Sequence, residues 1–94
     1  MSYKLEFLPS ALKEWRKLDS VIADQFRRKL LKLRDNPRVS SLALRNLKDC
    51  YKVKLASAGF RLVYQVVDDR MIVQVVAVGK RSNGDVYDTA SKRV

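Results

Sequence analysis

Five side chains in the second half of the sequence could handle a phosphate group. Lys52 and Lys54 stand two apart in the alternating run CYKVKL, residues 50–55. Arg61 follows a turn, in GFRLVY; Arg81 closes VGKR; Tyr87 lies in the tail beyond. Strand side chains alternate between faces, so Lys52 and Lys54 share one face, about 7 Å apart at roughly 3.3 Å per residue. The same parity sends Tyr51, Val53 and Leu55 to a core and sets Arg61 close to Lys54. With Arg81 at the rim and Tyr87 arriving from the tail, all five converge on one face of a sheet. A lysine pair at this spacing is by itself ordinary solvent-side sequence. Four cations gathered from neighbouring strands are not, because like charges facing each other destabilise a sheet unless an anion meets them there.

The composition narrows the chemistry. There is no histidine and one cysteine, Cys50. Schemes with a serine or cysteine nucleophile lack their usual base. A metal centre lacks ligands, since Asp68 and Asp69 sit in a turn and no carboxylates converge. No metal and no cofactor are expected. Lysine starts near pKa 10.4 and tyrosine near 10. A cation about 7 Å away, at an effective dielectric of about 40, contributes about 1.2 kcal/mol, or about 0.9 of a pKa unit. Two or three such neighbours lower one lysine by about 2 units, and bound phosphate raises it again. Such a site acts weakly on free RNA. It depends on a partner that positions the substrate, an effect worth about 7 kcal/mol or more. Arginines need no such help, since they stabilise charge on phosphate without titrating. Cys50 shares parity with the lysines and is expected to be a small inert residue beside them.

The elements that must hold this site follow from periodicity. The chain has 94 residues and 47% hydrophobic content, as a single globular domain over residues 1–94 requires. Two prolines and three glycines leave no room for a long linker. Tyr3, Leu5 and Phe7 alternate with Lys4 and Glu6 as a half-buried strand. Pro9 opens a helix with Leu8, Ala11, Leu12, Trp15 and Leu18 at helical spacing. Asp19-Ser20 supplies the cap of a second helix, whose Ile22, Phe26, Leu30 and Leu33 form one face. That helix stops at Asn36-Pro37, and the pair forms an antiparallel hairpin. Trp15 belongs to the core between the two helices. Residues 38–49 read as a loop with Leu42, Leu44 and Leu47 turned inward. Strands at 50–55, 60–67 and 71–79, joined by short turns, make an antiparallel meander. Ser82-Asn83-Gly84 is a turn. Residues 85–94 form a short last helix with Asp85 at its start and Lys92 and Arg93 at its end, where the helix dipole favours those signs. It is the least stable element. The order β-α-α-β-β-β-α, with the hairpin on one face of an antiparallel sheet, is an α+β fold.

Twenty Lys and Arg stand against ten Asp and Glu, a net charge of +10. Charge of that size on so small a body implies a polyanionic partner, RNA first. Arg27, Arg28 and Lys29 on the second helix form a second electrostatic contact. Arg45 in the loop and Lys80 at the rim are counted with them as RNA-binding residues. No run is apolar enough to span a membrane, the start lacks a signal core, and one cysteine suits a reducing compartment, so the expected location is cytoplasmic.

The segments CYKVKL at 50–55, GFRLVY at 59–64, VGKR at 78–81, Val86-Tyr87 and the early ALKEWRKL at 11–18 resemble the RelE toxins of bacterial toxin–antitoxin pairs. The resemblance covers essentially the whole chain. GFRLVY and VGKR are shared across the wider RelE/ParE superfamily and carry only its fold. The two strand lysines, the rim arginine and the tail tyrosine resemble the branch that cuts messenger RNA. The resemblance implies entry into the A site of the 70S ribosome and attack of a messenger 2′-hydroxyl on the adjacent phosphate. Translation is thereby inhibited. It implies proton transfer and charge stabilisation by Lys52 and Lys54, a grip on the phosphate by Arg61 and Arg81, and stacking or hydroxyl activation by Tyr87. It also implies a RelB-like antitoxin, whose helix would compete for the groove that holds the tail. Operator DNA would be bound, and transcription repressed, only through the antitoxin complex. The alternatives are a ParE-like toxin acting on DNA gyrase and a non-catalytic module that binds ribosomal RNA.

Overall fold

The computed structural model describes residues 2–83 and 85–94. Its first strand, β1 (Lys4–Phe7), leads into α1 (Pro9–Arg16) and α2 (Ser20–Leu33). Three longer strands follow, β2 (Cys50–Leu55), β3 (Phe60–Val67) and β4 (Ile72–Lys80), and then a short helix, α3 (Val86–Ser91). The expected element order and the α+β class hold. Pro9 stands in the first turn of α1, where its missing N–H costs nothing. Asp19 occupies the N-cap of α2, but its side chain makes no capping hydrogen bond. Arg81–Asn83 is a 3-10 turn; the rest of the expected Ser82–Gly84 turn, Gly84, lies outside the described residues.

The sheet order is β1-β4-β3-β2. The meander is antiparallel, as expected, but β1 joins β4 in parallel, Lys4 opposite Ile72 and Phe7 opposite Val75, so the sheet is mixed. The helical hairpin is the crossover that carries the chain away from β1 and lets the meander return beside it. A bulge interrupts the β3–β4 pairing. Val63 faces Ala77 and Tyr64 faces Val75, leaving Val76 as the extra residue. The bulge resets the alternation of β4, so that its last residues fall into phase with Arg61.

The hairpin packs on one face through Ala11, Phe26 and Leu30, all fully buried. They meet Tyr51, Val53, Leu55, Leu62, Tyr64, Val66, Val73, Val75 and Val78. Trp15 takes its expected core place, edge-on to Phe7 at 5.1 Å and 6.3 Å from Phe26. Tyr64, buried among them, donates its hydroxyl to the Pro37 carbonyl at 2.8 Å and so fastens the loop after α2. Arg38 clamps the same loop to Asp49 and Asp68, and Tyr3 donates to Asp68 from the other side.

Candidate active site

The opposite face of the sheet is only partly open. Its floor is Cys50, Val63, Val76 and Ala77, all buried, roofed by Ala90 and Tyr87 of α3 and by Leu44 and Leu47 of the loop. Val63 shares a strand face with Arg61 and is nonetheless fully buried. The sequence signal for this is the nearly continuous apolar run through β3 and β4, the mark of strands covered on both sides.

Beside this floor the cations gather. Register sets Lys52 opposite Val63 and Lys54 opposite Arg61, and Arg61 in turn opposite Gly79. Lys54 and Arg61 therefore spring from adjacent strands about 4.8 Å apart. Arg61 turns its guanidinium over the ring of Tyr87, 5.3 Å from the centroid. That stacking offsets some of the repulsion from Lys54. Arg81 stands just beyond β4. Its backbone N–H donates to the Gly59 carbonyl at 2.7 Å, which pins it at the corner where the β2–β3 turn ends, two residues from Arg61. Gly59 has φ of 71°, a left-handed backbone that glycine adopts without strain. Lys52, Lys54 and Arg61 thus lie on paired strands and Arg61 touches Tyr87, with Arg81 exposed at the neighbouring corner.

Tyr87 is held from its backbone, whose N–H donates to the Asp85 carboxylate at 2.9 Å. Its hydroxyl is buried and finds no hydrogen-bond partner among the described residues. Burial pushes the phenol above its ordinary pKa of 10.0, Arg61 pulls the other way, and Asp85 adds to the rise. The phenol is therefore neutral near pH 7, a proton donor rather than a phenolate base. One face of the ring is occupied by Arg61, so a base stacks on that face only if the guanidinium moves. Cys50 is 1% exposed, and burial with Asp49 nearby pushes its thiol up to about 11. It is a neutral floor residue, as expected from sequence.

The other expected RNA contacts scatter around this centre. Lys29 joins Lys52 and Lys54 along an open groove of about 410 Å³ at the free edge of β2. Lys32 lines it too and was not singled out from sequence; its i, i+3 spacing from Lys29 was the available signal. Arg45 lies beside Tyr87, lining a cleft with Leu44, Leu47 and Asp88. Lys80 sits 6.0 Å over the Phe60 ring, next to Arg81. Arg27 is already paired with Asp24 at 2.6 Å and stands 6.0 Å over Trp15, while Arg28 is exposed on the same helix.

An arrangement of fixed cations around a neutral phenol suits an anionic, phosphate-bearing substrate, and comparison with known proteins agrees. Residues 5–84 match the family model described as ParE toxin of type II toxin-antitoxin system, parDE. The chain is 49% identical over 94 residues to the mRNA interferase toxin RelE of Escherichia coli K12, spanning 100% of this chain and 99% of that one. A free double arginine-to-alanine mutant of E. coli RelE superposes with a TM-score of 0.91 at 48% identity, over 100% of this chain and 99% of that chain. The same mutant bound to a peptide of the antitoxin RelB gives 0.83 at 45% identity, over 100% and 96%. By sequence over its whole length and by fold, the chain belongs to the RelE toxins of the RelE/ParE toxin–antitoxin superfamily.

Proposed function

We propose that this chain is the toxin of a type II toxin–antitoxin pair and an endoribonuclease that cuts messenger RNA in the ribosomal A site. The observation that carries the reading is the cross-strand set Lys52, Lys54 and Arg61, with Tyr87 against Arg61 and Arg81 at the corner. It stands in a chain 49% identical, end to end, to an mRNA interferase toxin. In the reaction the messenger 2′-oxygen attacks the adjacent phosphorus and gives up its proton. The bond to the 5′-oxygen breaks, and that oxygen takes a proton. The products are a 2′,3′-cyclic phosphate and a 5′-hydroxyl. Arg61 and Arg81 neutralise the charge that builds on the phosphate oxygens. Lys52 and Lys54 stabilise charge and carry protons. Tyr87, neutral at rest, donates a hydrogen bond or orients the nucleotide rather than accepting the 2′-proton.

Without histidine the site relies on the ribosome to align the messenger, and Arg28, Lys29, Arg45 and Lys80 supply contacts to RNA backbone. A RelB-like antitoxin restrains the toxin, its helix competing for the place of the tail, and operator DNA is reached through that complex. The working location is the cytoplasm; among the described residues no helix is long and apolar enough to cross a membrane. The test is primer extension on a defined messenger, with and without programmed ribosomes, for wild type and Arg81→Ala. Cuts in the A-site codon that need ribosomes and fall about 100-fold or more in the variant support the reading. No cut in any condition would favour the gyrase-directed or binding-only alternative.

A further inference from the structure

β4 is flanked on both sides for only part of its length. β1 covers Ile72 to Val75, and Leu8 donates to the Val75 carbonyl at 3.0 Å where β1 ends. Beyond that point two side chains take the place of a strand. Glu14 of α1 accepts the Val78 N–H at 3.2 Å, and Arg93, just past α3, donates to the Val76 carbonyl at 2.9 Å. The two are joined to each other. Arg93 Nη1 meets Glu14 Oε1 at 2.9 Å, and Nη2 meets Oε2 at 3.1 Å, the fork-to-fork geometry of a strong charge-assisted pair. One ion pair therefore ties α1, the outer edge of β4 and the end of α3.

The helix it holds cannot hold itself. α3 has six residues, too few to persist alone. The Lys92–Asp88 bridge along it is 3.5 Å long and highly exposed, so it adds little. Its fixings are the Asp85 cap at one end, buried Ala90 in the middle and Arg93 at the other end. Tyr87 sits between the first and second of these. Without Arg93 the C-terminal end of the helix loses its tie to α1 and β4, and the Val76 carbonyl loses a partner.

We propose that Glu14 and Arg93 form a latch that holds α3, and through it Tyr87, in the position required for cleavage; both are positioning residues, and the claim rests on the nuclease reading above. The latch explains why a cation belongs at residue 93 better than the helix dipole does, because the partner is a carboxylate of another helix.

The test pairs two readouts on the full chain. In Arg93→Ala, amide exchange across residues 87–93 rises about 10-fold or more while Phe26 and Leu30 in α2 stay protected. Single-turnover cleavage on programmed ribosomes falls about 10-fold, with half-saturation by ribosomes changed less than about 2-fold. In a Tyr87→Ala background the further loss from Arg93→Ala is under about 2-fold, since the latch acts through that ring. Glu14→Gln reproduces the pattern in weaker form. Unchanged exchange in the tail, or a full additional loss in the Tyr87→Ala background, would overturn the proposal. If wild type itself cuts no messenger, the nuclease reading fails separately. The exchange result then stands alone: faster exchange upholds the latch, and unchanged exchange removes it.

Discussion

The same strands present two unlike faces. Under α1 and α2, twelve buried residues among those described, from the hairpin and the sheet, form one cluster that includes Phe26, Leu30, Leu62 and Tyr64. Under α3, five buried residues, all small or β-branched, form a thin floor, and cations stand directly beside it. The first face has the apolar area to hold the molecule together. The second has enough to seat one short helix and to keep Tyr87 and Cys50 dry, and no more. Placing Lys54 opposite Arg61 costs stability that the second face cannot supply, so the first must. A small toxin thus separates the face that stabilises from the face that carries the candidate site, and each is open to independent attack.

The comparison breaks most visibly at Phe26. Phe26→Ala empties part of the larger cluster and is expected to cost about 3–5 kcal/mol, a large share of a small domain's stability, in urea unfolding. Arg81→Ala touches the other side. Its stability stays within about 0.5 kcal/mol of wild type, because the residue is exposed, while cleavage falls as stated above. A large loss of stability in that variant would contradict the division of labour.

Alkaline pH probes how dry the thin floor is. The Cys50 thiol is raised from 9.0 to about 11 in the folded chain. Its neutral form therefore adds stability that is fully present below pH 9 and is lost as pH rises toward 11. Unfolding midpoints from pH 8 to 11.5 should fall more steeply for wild type than for Cys50→Ala, by at most about 1.4 kcal/mol per pH unit. Parallel curves would mean that water reaches the thiol. The smallest effect lies on α2. Arg28→Ala should reduce the salt dependence of ribosome binding by about one counterion, and Arg27→Ala by less, because Asp24 already faces that guanidinium at 2.6 Å.

Periodicity carried much of this into view beforehand. β3 runs from Phe60 to Val67, as its alternation and flanking turns imply, and Ile22, Phe26, Leu30 and Leu33 all face the larger cluster. Lys52, Lys54 and Arg61 fall where parity puts them, because parity is a local property of the backbone. What stayed hidden is not local. Alternation in Tyr3, Leu5 and Phe7 says that β1 is half-buried, but not that its partner is β4 or that the pairing is parallel. The extra residue at Val76 leaves no mark in a run of valines. Arg93 looks like a complement to its own helix until Glu14 is seen across from it. Tyr87 was legible as a candidate site residue, but its buried hydroxyl and its pairing with Arg61 depend on how α3 lies on the sheet.

The parallel pairing of β1 with β4 also sets an order of assembly. The strand made first, at Lys4, has to wait for Ile72 before its edge is satisfied. A nascent chain emerging from a ribosome can fold its helical hairpin early, yet cannot close its sheet until β4 is out. Arg93 and the helix bearing Tyr87 come later still. Non-local pairing of this kind is slow to form. The seat of Tyr87 is therefore assembled after the hairpin and the meander, because α3 needs β3 and β4 in place before it can dock.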